Sequence, residues 1–116
     1  MLWGSGTPKR EFLFVDDMGE AVVYALENQF PEHLYNVGSG KDIIIKELAE
    51  TIQKIIGHQG NIIWDDSKPD GTPRKLMDVS KMKELGWQYS TELEVGIKKT
   101  YKWFLENINN IKEVKL

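Results

Sequence analysis

Arg10 leaves a glycine-containing loop, Trp3-Gly4-Ser5-Gly6-Thr7-Pro8-Lys9-Arg10, just ahead of an apolar run. A guanidinium fixed at such a point can hold a phosphate or diphosphate through paired hydrogen bonds. Trp3, seven residues earlier, can stack on or wall off a sugar or base; packing alone is the plainer role. A second polar loop, Ser67-Lys68-Pro69-Asp70-Gly71-Thr72-Pro73-Arg74-Lys75, carries three cations in nine positions. It can close over the same anion, or its charges can simply be solvated. Asp78 stands two positions before Ser80, where a carboxylate either caps a helix or binds a ligand hydroxyl. Asp16 and Asp17 are adjacent carboxylates, and neighbours that cap a helix need no acid–base role.

Other chemistry is missing from the residues. Gly38-Ser39-Gly40-Lys41 has Tyr35 where a nucleoside-triphosphate loop needs its first glycine, and Asp42 where it needs Ser or Thr. A dinucleotide fingerprint fails twice: Gly4 and Gly6 are followed by Lys9 in the third glycine's place, and Gly38 and Gly40 by Ile43. The positions four after Tyr24, Tyr35, Tyr89 and Tyr101 are Asn28, Ser39, Leu93 and Leu105, so no tyrosine has a lysine partner at that spacing. The chain has no cysteine and only two histidines, His33 and His58. Thiolate chemistry and a histidine-built metal site are thereby excluded for these residues. Trp64, Trp87, Trp103 and Phe104 follow strand and helix faces without basic interleaving and read as core or interface residues.

The elements that must position these groups alternate. Glu11–Val15 reads as a short buried strand. Asp17 and Glu20 have capping-box spacing ahead of a helix whose apolar stripe is Met18, Ala21, Val22, Ala25 and Leu26, ended at Asn28–Pro31. Leu34–Val37 reads as a second strand. Ile43–Ile45 leads into the cleanest amphipathic pattern, Ile45, Leu48, Ala49, Ile52, Ile55 and Ile56, with Gly57 as C-cap. Asn61–Trp64 reads as a third strand. Ser80 caps a short helix closed by Gly86, and Thr91 with Glu94 forms a capping box for a last helix carrying Leu93, Ile97, Thr100, Tyr101, Phe104 and Leu105. Residues 108–116 read as a frayed tail. This order predicts a single α/β lobe over residues 1–116, parallel or mixed, with few short strands and three to four helices.

The 116 residues suffice for one core. Apolar residues make up 41% and charged residues 28%, which argues for a globular chain. Fifteen basic against eighteen acidic residues leave a net charge of −3, the wrong sign for a general nucleic-acid binder. No apolar run is long enough to cross a bilayer, and the first residues lack the order of a signal peptide. A cytoplasmic location, without nucleic acid or membrane as partner, is the expectation. The opening, an apolar Leu-Trp pair running into a glycine loop, suggests that polypeptide precedes it; a frayed terminus is the other reading.

Several stretches together resemble the C-terminal part of the GDP-L-fucose synthases, within the extended short-chain dehydrogenase/reductases. They are Trp3-Gly-Ser-Gly-Thr-Pro-Lys-Arg-Glu-Phe-Leu-Phe-Val-Asp-Asp17, Asn36-Val-Gly-Ser-Gly40, Lys68-Pro-Asp-Gly-Thr-Pro-Arg-Lys-Leu-Met-Asp78, Leu85-Gly-Trp87 and Thr100-Tyr-Lys-Trp-Phe-Leu-Glu-Asn107. The Lys68–Lys75 run is the most specific of these; the Arg10–Asp17 run is shared by many relatives. The resemblance implies an NADP-dependent epimerase–reductase acting on GDP-4-keto-6-deoxy-mannose, built from a Rossmann domain and a smaller substrate lobe. The present chain would be the lobe. NADP and the family's cysteine–histidine acid–base pair would belong to the N-terminal half, which would be this lobe's partner in a full-length homodimer. No catalytic, cofactor or metal residue is then expected here. Trp3, Arg10 and Asp78 match positions the family uses on the GDP-sugar, and Arg74 is carried over from the diphosphate-gripping arginine of related epimerases. Phe14 departs from the family, which commonly has histidine there. The alternatives are a free-standing nucleotide-sugar-binding or interaction module, and the lobe of a related nucleotide-sugar epimerase or dehydratase.

Overall fold

Nine elements follow the chain in a computed structural model that describes residues 1–110. They are β1 (Leu2–Trp3), β2 (Lys9–Glu11), α1 (Val15–Glu27), β3 (Asp42–Ile44), α2 (Ile45–Ile56), β4 (Trp64–Asp65), β5 (Arg74–Lys75), α3 (Ser80–Glu84) and α4 (Leu93–Asn107). The alternation expected from the sequence is present, and the architecture is mixed α/β with short strands and four helices. The frayed tail expected over 108–116 meets a turn at its start, where the Asn110 N–H donates to the Asn107 carbonyl at 2.8 Å; residues 111–116 lie outside the described residues.

β2 is the centre of a three-stranded sheet. It pairs antiparallel with β3, Lys9 opposite Ile44 and Glu11 opposite Asp42, and parallel with β5, Lys9 opposite Arg74 and Arg10 opposite Lys75. β1 and β4 form a separate parallel pair, Leu2 opposite Trp64 and Trp3 opposite Asp65. The strand expected at Glu11–Val15 therefore sits upstream of its apolar residues. The ladder stops at Glu11 because β3 and β5 offer no further backbone, and Phe12–Phe14 turn instead toward α2 and α4. The opening is more than a loop, since Leu2–Trp3 pairs with β4. Of the strand expected at Asn61–Trp64, only Trp64 is paired, with Asp65 beyond it, and no ladder forms at Leu34–Val37.

α2 follows its apolar spacing, and Gly57 closes it in the left-handed region at φ +71°, a conformation costly for residues with a Cβ. The other helix starts differ from the capping expectations. Phe14, Val79 and Glu92 occupy the N-cap positions, none with a side-chain cap bond. Asp17, Ser80 and Thr91 are thus not caps, because their side chains or neighbours are engaged elsewhere. Asp17 is 1% exposed and reaches across to the segment before α4. Its Oδ1 accepts the Ser90 hydroxyl at 2.8 Å and the Thr91 hydroxyl at 3.2 Å; its Oδ2 accepts the Thr91 N–H at 3.0 Å.

The buried centre consists of Ala21, Met82 and Trp87, with Tyr24, Phe30, Tyr35, Val37 and Tyr89 packed around it. Of the apolar stripe expected on α1, only Ala21 enters it. Met18, Val22 and Leu26 are exposed, as is Val15.

Candidate functional site

Two loops meet at one edge of the molecule. The first turns through Gly4 and Gly6, at φ +84° and +75°. The second runs from β4 to β5. Their ends are joined by the β1–β4 and β2–β5 pairings, and the Lys9 N–H donates to the Pro73 carbonyl at 2.8 Å. Between those ends Asp70 reaches over: its Oδ1 accepts the Ser5 N–H at 2.9 Å and its Oδ2 the Ser5 hydroxyl at 2.5 Å. These hydrogen bonds, the hydroxyl's first, hold the Asp70 carboxyl below the ordinary aspartate range.

The structure gathers two of the four expected binding residues here. Trp3 presents its ring to solvent at 74% exposure, with the Lys68 ammonium 5.6 Å from the ring centroid. Arg10 is half-buried; its Nη1 donates to the Lys9 carbonyl at 2.6 Å, and among the described residues it enters no ion pair. Its Nη2 lies against the backbone of Gly71, where a Cβ would come within 3.2 Å. A guanidinium held by a loop but without a carboxylate partner keeps donors for an anion.

Register separates Arg74 from Arg10. Residues paired across a ladder project from the same sheet face, and the face alternates along each strand. Arg10 therefore shares its face with Lys75, while Arg74 shares the opposite face with Lys9, Glu11 and Asp42. Arg74 reaches across β2 to an ion pair with Asp42, whose side chain is largely buried. Lys75, one of the second loop's three cations but not singled out among them, is the one that register brings to Arg10's face. Period-two counting from Arg10 on a paired strand would have found it, had the pairing been known. Asp78 lies apart from this edge by its contacts. Its Oδ1 accepts the Ser80 N–H at 2.9 Å and its carbonyl accepts from Asn36 Nδ2 at 3.1 Å. The Ser80 backbone bond, and after it the Ser80 hydroxyl, draw its carboxyl below the usual range.

The loop Gly38-Ser39-Gly40 tests whether a dinucleotide fits these residues. Glu11 Oε1 accepts the Gly40 N–H at 2.6 Å and the Ser39 hydroxyl at 3.4 Å, while Oε2 accepts the Met77 N–H at 2.9 Å. A carboxylate of the chain thus fills the place a phosphate would need. Anchoring of the loop by Glu11, rather than cofactor binding, accounts for its glycines. At Gly38 a Cβ would press onto Glu11 Oε1 and come within 2.9 Å of Met77 Cε.

Two further features carry no reactive set. Lys41 Nζ bonds Glu92 at 3.1 Å, and the Tyr89 hydroxyl donates to the same oxygen at 3.0 Å, an exposed tie between the 38–42 loop and the start of α4. A 460 Å³ apolar groove lies between α2 and α4, bounded by Leu48, Ile52, Ile97, Tyr101 and Phe104 with Phe14 at one end. Among the described residues no cluster of three metal-ligating side chains occurs, and no helix is long and apolar enough to cross a membrane.

Comparison with known proteins bears out the resemblance read from the sequence. Residues 1–38 match the NAD dependent epimerase/dehydratase family. The chain is 51% identical to GDP-L-fucose synthase of Escherichia coli (92% of this chain, 36% of that protein). It is 49% identical to probable GDP-L-fucose synthase 1 of rice, over 97% of this chain and 34% of that one. In structure it is similar to a GDP-L-fucose synthetase from Naegleria fowleri, with TM-score 0.89 and 31% identity over 97% of this chain and 35% of that chain. A GDP-L-fucose synthetase structure from the same organism has NADP bound and gives 0.80. The chain spans about a third of the length of the relatives it matches.

Proposed function

We propose that this chain is the nucleotide-sugar-binding portion of an NADP-dependent GDP-L-fucose synthase, the epimerase–reductase that turns GDP-4-keto-6-deoxy-mannose into GDP-L-fucose. One observation carries the reading. Trp3 and Arg10 fall at one loop edge, joined there by Lys68 and backed by Lys75 on Arg10's own sheet face. In this reading the diphosphate lies against the free donors of Arg10, and the two lysines add charge without fixing geometry. The ring of Trp3 walls the nucleotide. The exposed carboxylate of Asp78 takes a sugar or ribose hydroxyl. Arg74 holds the sheet through Asp42 and meets the substrate only if that pair opens.

NADP and the proton-transfer groups are assigned to the remainder of the polypeptide. The occupied 38–40 loop supports that division, and so does the chain's one-third share of its relatives. The exposed side of α1 supports a packing partner of the same origin. Val15, Met18, Val22 and Leu26, at offsets 0, 3, 7 and 11, make one apolar face that the described residues leave exposed. The whole enzyme is proposed to be a cytoplasmic homodimer working without nucleic acid or membrane.

The test is calorimetric titration of the protein with GDP, UDP and dTDP. GDP binds most tightly, and Arg10→Ala weakens it by about tenfold or more, the scale of a charge-assisted phosphate contact. Equal affinity for GDP in wild type and Arg10→Ala overturns the reading. Preference for UDP or dTDP moves the chain to a related nucleotide-sugar enzyme.

A further inference from the structure

The contact between Asp70 and Ser5 joins residues 65 positions apart in the chain and lies between the ligand-facing side chains without itself being cationic. A carboxylate beside an anion site is an electrostatic cost, so its presence calls for another role. The backbone is shaped around it. Gly4 sits at φ +84°, and a Cβ there would come within 2.5 Å of Asp70 Oδ1. Gly71, the next residue after Asp70, is the backbone against which Arg10 Nη2 rests. Lys68, two residues before, stands over the Trp3 ring. The position of Asp70 therefore decides where Lys68 lies relative to Trp3 and where Gly71 lies relative to Arg10. The tie is exposed. The Gly4–Gly6 turn is held from α2 as well, the Lys46 N–H donating to the Gly6 carbonyl at 2.9 Å, so Asp70 fastens the 66–73 loop to a turn that is itself anchored.

We propose that the Asp70–Ser5 contact is a positioning staple, which locks the 66–73 loop onto the Gly4–Gly6 turn so that Trp3, Lys68 and Arg10 face one nucleotide diphosphate. The inference rests on the reading that Trp3 and Arg10 bind the nucleotide-sugar. Asp70 and Ser5 are positioning residues and do not touch the ligand. Without the staple the loop samples other placements, and affinity falls by the fraction of time the binding arrangement is lost.

The substitutions separate a staple from a charge. Asp70→Ala removes both bonds. Asp70→Asn keeps both, its oxygen accepting the Ser5 N–H and its amide donating to the Ser5 hydroxyl. Ser5→Ala keeps the Ser5 N–H bond to Asp70 and removes the hydroxyl bond, together with the hydroxyl's contacts to the Thr7 N–H at 3.1 Å and the Thr7 hydroxyl at 2.7 Å. Titrated with GDP, Asp70→Ala binds about tenfold more weakly than wild type, Ser5→Ala about threefold, and Asp70→Asn within about twofold. The double variant Ser5→Ala/Asp70→Ala falls short of the product of the two single effects, because both remove the Asp70–Ser5 contact. Thermal unfolding and far-ultraviolet circular dichroism check that each variant is folded. If Asp70→Ala is not, Ser5→Ala and Asp70→Asn decide alone. Wild-type affinity in both Asp70→Ala and Ser5→Ala overturns the staple, as does an Asp70→Asn variant as weak as Asp70→Ala. The parent reading is tested separately. If Arg10→Ala weakens GDP and Asp70→Ala does not, only the staple fails; if Arg10→Ala has no effect, both fail.

Discussion

Replacing Asp17 by alanine removes the best-satisfied buried charge of the described chain. The carboxylate is 1% exposed and joins α1 to the segment entering α4, 73 residues away. Two of its contacts are short, the Ser90 hydroxyl at 2.8 Å and the Thr91 N–H at 3.0 Å; the Thr91 hydroxyl at 3.2 Å and the Ser90 N–H at 3.4 Å are longer. Hydrogen bonds to an ionised group contribute about 1.5–3 kcal/mol each, and the two short ones dominate. The cost of burying the charge is recovered when it is removed, so the net loss settles near the lower end, about 3 kcal/mol. In a domain of this size that lowers the melting temperature by about 12 °C. The pH dependence follows from the same contacts. Burial pushes the Asp17 carboxyl up, but the Ser90 and Thr91 bonds outweigh it and the folded-state pKa lies below the ordinary value. The stabilisation is therefore complete above the unfolded-state pKa of about 3.9 and is lost as pH falls through the lower folded-state value. Asp17→Asn retains the shape but removes the charge; with its oxygen on the Thr91 N–H, its amide nitrogen faces the Ser90 N–H, which loses its acceptor. The stability gap between wild type and Asp17→Asn should be constant near neutral pH and shrink below about pH 4. Urea unfolding followed by circular dichroism at several pH values measures both quantities. An Asp17→Ala loss under about 1 kcal/mol, or a gap that widens on acidification, would refute the assignment.

Other outcomes follow from single contacts. Gly6→Ala should destabilise by about 2 kcal/mol, since φ is +75° and its Cβ would lie 2.7–2.9 Å from three ring atoms of Trp64; denaturant midpoints report it. Lys98→Ala removes an exposed pair four residues apart on α4 and should cost no more than about 0.5 kcal/mol by the same measurement. Leu26→Glu, at a side chain 81% exposed, should leave the melting temperature within a degree or two while reducing concentration-dependent association in sedimentation. Mixed with NADPH and GDP-4-keto-6-deoxy-mannose, the chain should show no loss of nicotinamide absorbance; turnover would place reductase chemistry in these residues.

Legibility in the sequence tracked the distance over which each feature is decided. The span of α2 and its glycine stop were readable because the apolar spacing and the left-handed turn at Gly57 are settled within a few residues. The capping readings failed where a polar side chain had a better distant partner. Asp17 and Thr91 each carry the right spacing for a local cap, and they bond to each other instead. Leu34–Val37 has strand composition, but a ladder needs a second strand, and composition does not say where one is. The proposed binding edge was half legible. Loop chemistry singled out Trp3 and Arg10, whereas the choice between Arg74 and Lys75 depends on β2–β5 register, which no local pattern reveals.

The two glycine-containing loops show how similar sequences come to serve different ends. Gly38-Ser39-Gly40 and Gly4-Ser5-Gly6 share a pattern, and each is met by a carboxylate from elsewhere in the chain. At the first, Glu11 lies within the loop's own donors, so the backbone N–H of Gly40 is spent internally and the loop serves as a joint between β2 and the Met77 segment. At the second, Asp70 takes the Ser5 donors but brings with it a loop bearing Lys68 and Gly71, and Arg10 stays without an acidic partner among the described residues. Both carboxylates take their loop's donors; the difference is that Asp70 also brings Lys68 to the Trp3 ring and Gly71 to an unpaired guanidinium, whereas Glu11 brings no cation. That contrast, and not the glycine pattern, is what supports the proposal of anion binding at the Trp3–Arg10 edge.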